Sequence, residues 1–183
     1  MKYFKMYYTS LNKEEQIQIK KLIQSGQLEI VTGGWVINDE ACPNYEDIIS
    51  LMQMGHTFVK REFGVVPRVG WMLDAFGHSA ANAALFSDFG FDSIIFSRIS
   101  DTVKGEWEQN QGKTFLWRPM SKNLGRSKEI LAVYHDDYDF PEGFKTDDTK
   151  WFADKDIDAP IQDDPSLLDY NADKMAVSLI NQA

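Results

Sequence analysis

Three observations predict an α/β fold, a parallel sheet flanked by helices. Short apolar runs end on a glycine or a charged residue: "LEIVT" (28–32), "RVGWML" (68–73) and "SIIFS" (93–97). Segments between them space their apolar residues as a helix face does. Start and stop residues stand where that alternation requires them. Continuous apolar strands of this kind suit a parallel sheet covered on both faces.

Asn12 with Glu15 three residues on reads as a capping box, and Ile17, Leu22 and Ile23 as the face of a helix that Gly26 stops. "LEIVT" then reads as a strand halted by Gly33-Gly34. A second helix follows Asn44, with Ile48, Ile49, Leu51, Met52, Phe58 and Val59 as apolar positions and Gly64 closing it. "RVGWML" is the next strand. Ser79 caps a third helix running to about Asp88, with Gly90 after it, and "SIIFS" is another strand. Beyond residue 100 the pattern weakens. "FLWRPM" and "EILAVYH" are strand candidates, the stretch 136–169 is rich in Asp, Pro and aromatics, and a last helix starts near Asn171. A connection that long in a compact domain lines a site or wraps a surface.

The chain has 183 residues, 43% of them hydrophobic and 13% aromatic, enough to bury a core. Its net charge of -9 argues against nucleic acid or an anionic membrane as the main partner. A single cysteine, Cys42, excludes an internal disulfide framework and a multi-cysteine zinc site. No apolar run is long enough to span a membrane, and "MKYFKMYYTS" lacks the features of a signal peptide. Taken alone, these features read as cytoplasmic. No Walker loop, GxGxxG, GxSxG, HExxH or CxxC motif occurs.

Sites of parallel sheets collect at the carboxyl ends of the strands. That rule gathers Gly33-Gly34-Trp35, Asp74 and Arg98 on one edge. Asp74 suits a nucleophile, a metal ligand or a turn cap. Arg98 suits a substrate hydroxyl or a strand-end ion pair. Trp35, Trp71 and Phe76 offer faces on which a sugar can stack, or core packing. His78 reads as a structural histidine bonded to a carbonyl, His56 as a packing or exposed residue, and His135 as a neighbour of the acids at 136, 137 and 139. Asp39-Glu40 reads as an acid pair that caps the region from Cys42 to Tyr45.

"GQLEIVTGGWVINDEA", "GVVPRVGWMLDAFGHS" and "LFSDFGFDSIIFSRIS" together resemble the N-terminal catalytic domain of glycoside hydrolase family 38, the class II α-mannosidases, most nearly the lysosomal type. The likeness implies a distorted β/α barrel, incomplete here, over 1–183. It implies retaining, zinc-dependent hydrolysis of terminal α-mannosyl residues on N-glycan-derived oligosaccharides, in a lysosome or vacuole. By resemblance Asp74 is both nucleophile and zinc ligand, Arg98 approaches the nucleophile and substrate, and Tyr138 and Asp139 line the sugar pocket as in Golgi-type members. Met72 stands where lysosomal-type members carry histidine. By the family pattern a His-x-Asp zinc motif precedes Met1, and the acid/base aspartate and a further zinc histidine follow Ala183. One zinc ligand of four is therefore expected here, with little activity and an aggregation tendency for the chain by itself. The rival readings are a metal-dependent polysaccharide deacetylase, which needs a histidine-rich triad, and a non-catalytic remnant.

Overall fold

The computed structural model describes residues 1–135, Phe144 and 161–182. The chain forms two compact units, 1–137 and 138–183.

The first unit begins with two helices, α1 (Lys2–Ser10) and α2 (Lys13–Gln24). The predicted capping box is present at α2: Asn12 Oδ1 accepts from the Glu15 amide, and Glu15 Oε2 accepts from the Asn12 amide, each at 3.0 Å. Two donors that a helix start leaves orphaned are thereby satisfied. The buried face of α2 differs from the expected one. Ile23 is buried and Ile19 packs beside it, whereas Ile17 and Leu22 stay exposed. Residues 19 and 23 are one turn apart and share a stripe, which Ile17 and Leu22 do not. With Tyr8 of α1, this stripe meets Phe58, Val59 and Phe63 of α3 (Tyr45–Phe63) in a first apolar cluster. Helix α3 ends as predicted at Gly64, whose φ of 76° lies in the left-handed region.

A parallel strand–helix–strand unit follows. Strand β1 (Val69–Met72) leads to α4 (Ala80–Asp88) and back to β2 (Ser93–Phe96), paired parallel with β1. Ser79 caps α4 as predicted, its Oγ accepting from the Asn82 amide at 3.0 Å. Helix α5 (Asp101–Asn110), not foreseen, then precedes β3 (Thr114–Trp117); α6 (Ser121–Leu124) separates β3 from β4 (Ile130–Tyr134). Helix α5 offers the sheet only Val103 and Trp107, neither fully buried, so its apolar signal is faint.

The sheet is open, ordered β1-β2-β4-β3. The expectation of a parallel sheet holds for β1, β2 and β4, while β3 pairs antiparallel with β4. Burial alternates along β1 and β2, so the strands bury one face rather than two. Met72, Ile94, Phe96, Ile130, Ala132 and Tyr134 form that face, with Phe86 of α4 against it. Gly70 sits where a Cβ would lie 2.7 Å from the Phe86 ring. The bare backbone lets the helix close on the strand.

"LEIVT" is not a strand. The Thr32 amide donates to the Val69 carbonyl at 2.7 Å, and the ladder then stops. Thr32 has φ 52°, a costly conformation for a β-branched residue. Its hydroxyl takes over from the backbone. Oγ1 accepts from the Trp71 amide at 2.6 Å and donates to the Trp71 carbonyl at 3.1 Å. The first predicted strand is therefore a side-chain clasp on the edge of β1.

In the second unit, α7 (Ala172–Gln182) is the predicted last helix, and Val177, Leu179 and Ile180 are exposed on it.

Candidate functional site

The carboxyl ends of β1 and β2 bring together Asp74, Phe76, His78 and Arg98. The chain leaves β1 through Leu73, buried like Ala75, and turns out between them at Asp74. This alternation fixes the carboxylate on the solvent side while its neighbours anchor the turn. Arg98 lies two residues past β2. Its Nε and Nη2 both donate to Asp74 Oδ1, at 3.0 and 2.5 Å. Side-chain exposure is 39% for Arg98 and 66% for Asp74, so the pair is open to a ligand. Charge-assisted bonds of this kind fix a carboxylate in position.

Arg98 adopts φ 48°, in the left-handed region that side chains rarely enter. Strain at a strand terminus carrying a charged side chain is a common mark of a built site. The Arg98 guanidinium carbon lies 4.6 Å from the centroid of the Phe76 ring. Phe76 is 67% exposed, and the arginine supports it against one face.

His78 behaves as predicted. Its Nε2 lies 2.6 Å from the Ser97 carbonyl oxygen, and its ring leans on Phe96 with centroids 4.8 Å apart. His56 makes a similar bond, Nε2 to the Thr32 carbonyl oxygen at 2.8 Å, and packs against Phe91. A carbonyl only accepts, so Nε2 carries the proton in both rings. The His135 ring lies 6.4 Å from that of Trp71.

The expected grouping of Gly33-Gly34-Trp35 with Asp74 and Arg98 is not what the contacts show: Gly33 lies against Pro67, ahead of β1, and the Trp35 ring packs on the cluster of α1, α2 and α3. The Trp35 amide donates to the Leu51 carbonyl of α3 at 2.9 Å. This needs the loop backbone to lie directly on the helix at Gly55, where a Cβ would collide with the Gly33 oxygen and stand 2.7 Å from the Trp35 nitrogen. Thr32, Gly33, Gly34 and Trp71 line a hollow of about 150 Å³. A larger one, about 430 Å³, is lined by Gly77, His78, Phe96, Arg98, Trp107 and Trp117. Pockets of a few hundred Å³ with aromatic walls and one charged group suit a sugar-sized ligand.

Asp39 caps its own turn rather than the region from Cys42 to Tyr45, Oδ1 accepting from the Ala41 amide at 3.1 Å and only its backbone carbonyl from the Cys42 amide at 3.0 Å. Glu40 does something else: its Oε2 accepts from the Ser79 amide at 2.7 Å, tying the loop after Trp35 to the start of α4. A contact across 39 residues leaves no trace in local sequence. Nor does the part played by the Thr32 hydroxyl, on a residue that the apolar pattern places at a strand end.

Tyr138 and Asp139 lie outside the described residues, as do the acids next to His135. Among the described residues, no three His, Cys, Asp or Glu side chains approach as a group able to hold a metal ion. Among the described residues Asp74 therefore stands as a single carboxylate toward the expected zinc, the one ligand that the family likeness assigns to this chain.

The relatives point the same way as the geometry. Residues 1–183 match the family model described as Glycosyl hydrolases family 38 N-terminal domain. An alpha-mannosidase of Arabidopsis thaliana is 43% identical over 173 residues, covering 93% of this chain and 16% of that protein. The lysosomal alpha-mannosidase of Dictyostelium discoideum is 36% identical over 174 residues, 95% of this chain and 16% of the relative. That of Cavia porcellus is 33% identical over 178 residues, 96% and 17%. The chain spans about a sixth of the length of these curated relatives. With the family match running from the first residue to the last, the chain belongs to the glycoside hydrolase family 38 N-terminal domain.

Proposed function

We propose that this chain is the nucleophile-bearing part of an α-mannosidase, acting on terminal α-mannosyl residues of N-glycan-derived oligosaccharides with retention of configuration. The exposed Asp74 carboxylate, held by Arg98 at the carboxyl end of a parallel strand, carries the reading. The Asp74 carboxylate attacks the anomeric carbon as the glycosidic C–O bond breaks. A carboxylic acid outside the described residues protonates the leaving oxygen. Water then cleaves the glycosyl ester, its proton returning to that acid, and the carboxylate is restored. Retention sets the two carboxyl groups about 5–5.5 Å apart. Phe76 offers an apolar face to the sugar, and Arg98 keeps the attacking carboxylate aimed. Tyr138 and Asp139 are assigned to the sugar pocket by the family likeness, and Trp71 to its wall as an aromatic face on which a sugar can stack.

Zinc enters this reading through Asp74 alone. Among the described residues no three donors gather to hold an ion, so no step is drawn through a metal. A lysosomal or vacuolar location follows the relatives named lysosomal. No described helix is long and apolar enough to cross a membrane. The deacetylase reading has this against it: His56 and His78 are each committed to a backbone carbonyl.

The test is turnover of 4-nitrophenyl α-D-mannopyranoside by the intact gene product. Turnover with α-mannose as first product, lost in Asp74→Asn, supports the reading. Turnover that survives the substitution overturns it.

A further inference from the structure

We propose that His78 is a positioning residue for the Asp74–Arg98 pair and acts through the Ser97 carbonyl; its catalytic consequence rests on the reading of Asp74 given above. Arg98 has to hold φ 48° for its guanidinium to reach Asp74. An arginine does not keep that conformation unaided. The peptide entering it, Ser97 to Arg98, is the lever: rotating it swings the Cα–Cβ bond of Arg98. Ser97 is buried, and its carbonyl accepts the short bond from His78 Nε2. His78 thereby clamps the one peptide whose orientation decides where the guanidinium points.

The clamp is anchored in the right place. His78 sits on the same turn as Asp74, four residues on, with Gly77 at φ 142° between them. A closed ring results. Asp74 is linked through the turn to His78, His78 to the Ser97 carbonyl, Ser97 to Arg98, and Arg98 back to the Asp74 carboxylate. The Phe96 ring supports the imidazole from the core, and the Glu40 carboxylate holds the next amide, that of Ser79. Nucleophile and arginine are thus aimed from one shared turn, as a preorganised site requires. A histidine serving only to fill space would not need its donor at 2.6 Å from this carbonyl.

Two variants separate donor from packing. His78→Phe keeps a ring against Phe96 and loses the donor; His78→Gln restores an amide donor at similar reach. Hydrogen exchange of arginine Nε–H groups in the intact gene product, labelled with ¹⁵N-arginine, reads the clamp directly. The Arg68 Nε–H, bonded to Asp92 at the amino end of the same strands, is the internal reference. In His78→Phe, Arg98 exchange should rise by about tenfold, the equivalent of one net hydrogen bond, with Arg68 unchanged and His78→Gln near wild type. Unaltered exchange at Arg98, or an equal rise at both arginines, overturns the proposal. Should His78→Phe not fold, His78→Asn, whose amide is too short for the carbonyl, must show the same contrast with His78→Gln.

In the intact gene product, α-mannoside kcat should fall by up to about 100-fold in His78→Phe, with KM little changed and His78→Gln recovering most of it. A loss confined to KM, or none, overturns the proposal. A wild-type protein without turnover removes the hydrolase reading and leaves the exchange experiment to decide the positioning role.

Discussion

Strands β1 and β2 are closed at each end by an arginine–aspartate pair separated by 24 residues. At the amino end, Arg68 Nε and Nη2 each bond a different oxygen of Asp92, both at 2.6 Å. Backbone strain, aromatic ring and histidine are all missing from what is described of that pair. At the carboxyl end, the arginine converges on one oxygen of Asp74, sits at positive φ, supports an exposed phenylalanine and is backed by His78. The chemistry of the two pairs is the same, and so is their span. What separates clamp from site is the surroundings: one end spends conformational strain to hold a charge in an exact place, and the other does not.

The comparison breaks most directly on turnover. Asp74→Asn should lower α-mannoside turnover of the intact gene product by at least about 10⁴-fold, as loss of a nucleophile does elsewhere. Asp92→Asn should leave it within about twofold, as befits an exposed surface change. Equal losses would erase the distinction between the ends.

The next largest effect tests how the loop beside β1 is held. Gly55→Ala puts a Cβ into the Gly33–Trp35 backbone, where no side chain can move aside. Overpacking costs about 1–3 kcal/mol, and the better helix propensity of alanine returns about 1. With fixed backbone only 2.0 Å away the cost lies at the upper end of that range, so a net loss of about 2 kcal/mol is expected in urea unfolding. Wild-type stability in this variant would mean that the loop does not lie on α3.

These two tests also separate what sequence reveals from what it hides. The β1–α4–β2 unit was legible because each of its signals is local: an apolar run, a serine cap, a glycine stop. Asp74 and Arg98 were legible because strand ends were. His78 was readable as a carbonyl-bonded histidine, though not which carbonyl it would find. The strand expected at "LEIVT" fails at Thr32, where a hydroxyl replaces ladder bonds after one backbone contact, and nothing in that stretch signals a left-handed threonine. Glu40 failed too, since its partner amide at Ser79 is set by tertiary approach. Helix α1 was read only for targeting signals, and α5 presents too narrow an apolar face to announce itself.

A smaller effect sharpens the amino end. A double-mutant cycle of Arg68→Ala and Asp92→Ala should return a coupling of about 0.2–1 kcal/mol, the range for exposed pairs. The side chains are 62% and 60% exposed, so the coupling should also shrink in high salt. A larger, salt-insensitive coupling would show that this end too is preorganised.

The smallest effect concerns a third clamp, at the amino end of β4. Glu129 Oε1 accepts from Arg118 Nε at 2.6 Å and from Arg126 Nε at 3.3 Å. The Arg118 hydrogen bond holds the Glu129 carboxyl below its ordinary value, against partial desolvation that pushes it up, and Arg126 adds to the lowering. A carboxylate whose pKa is lower in the fold than in the unfolded chain stabilises the fold above the unfolded value, about 4.3, and loses that contribution as pH falls through the folded one. Wild type should therefore be slightly more stable than Glu129→Gln at pH 7, with the gap closing progressively below about pH 5. Urea midpoints at pH 7, 5 and 3 measure it. A gap that widens on acidification would reverse the sign and show that Glu129 is held in the fold as the neutral acid. A gap that closes would place this pair with Arg68–Asp92, as a clamp that works by charge alone and asks nothing of the backbone.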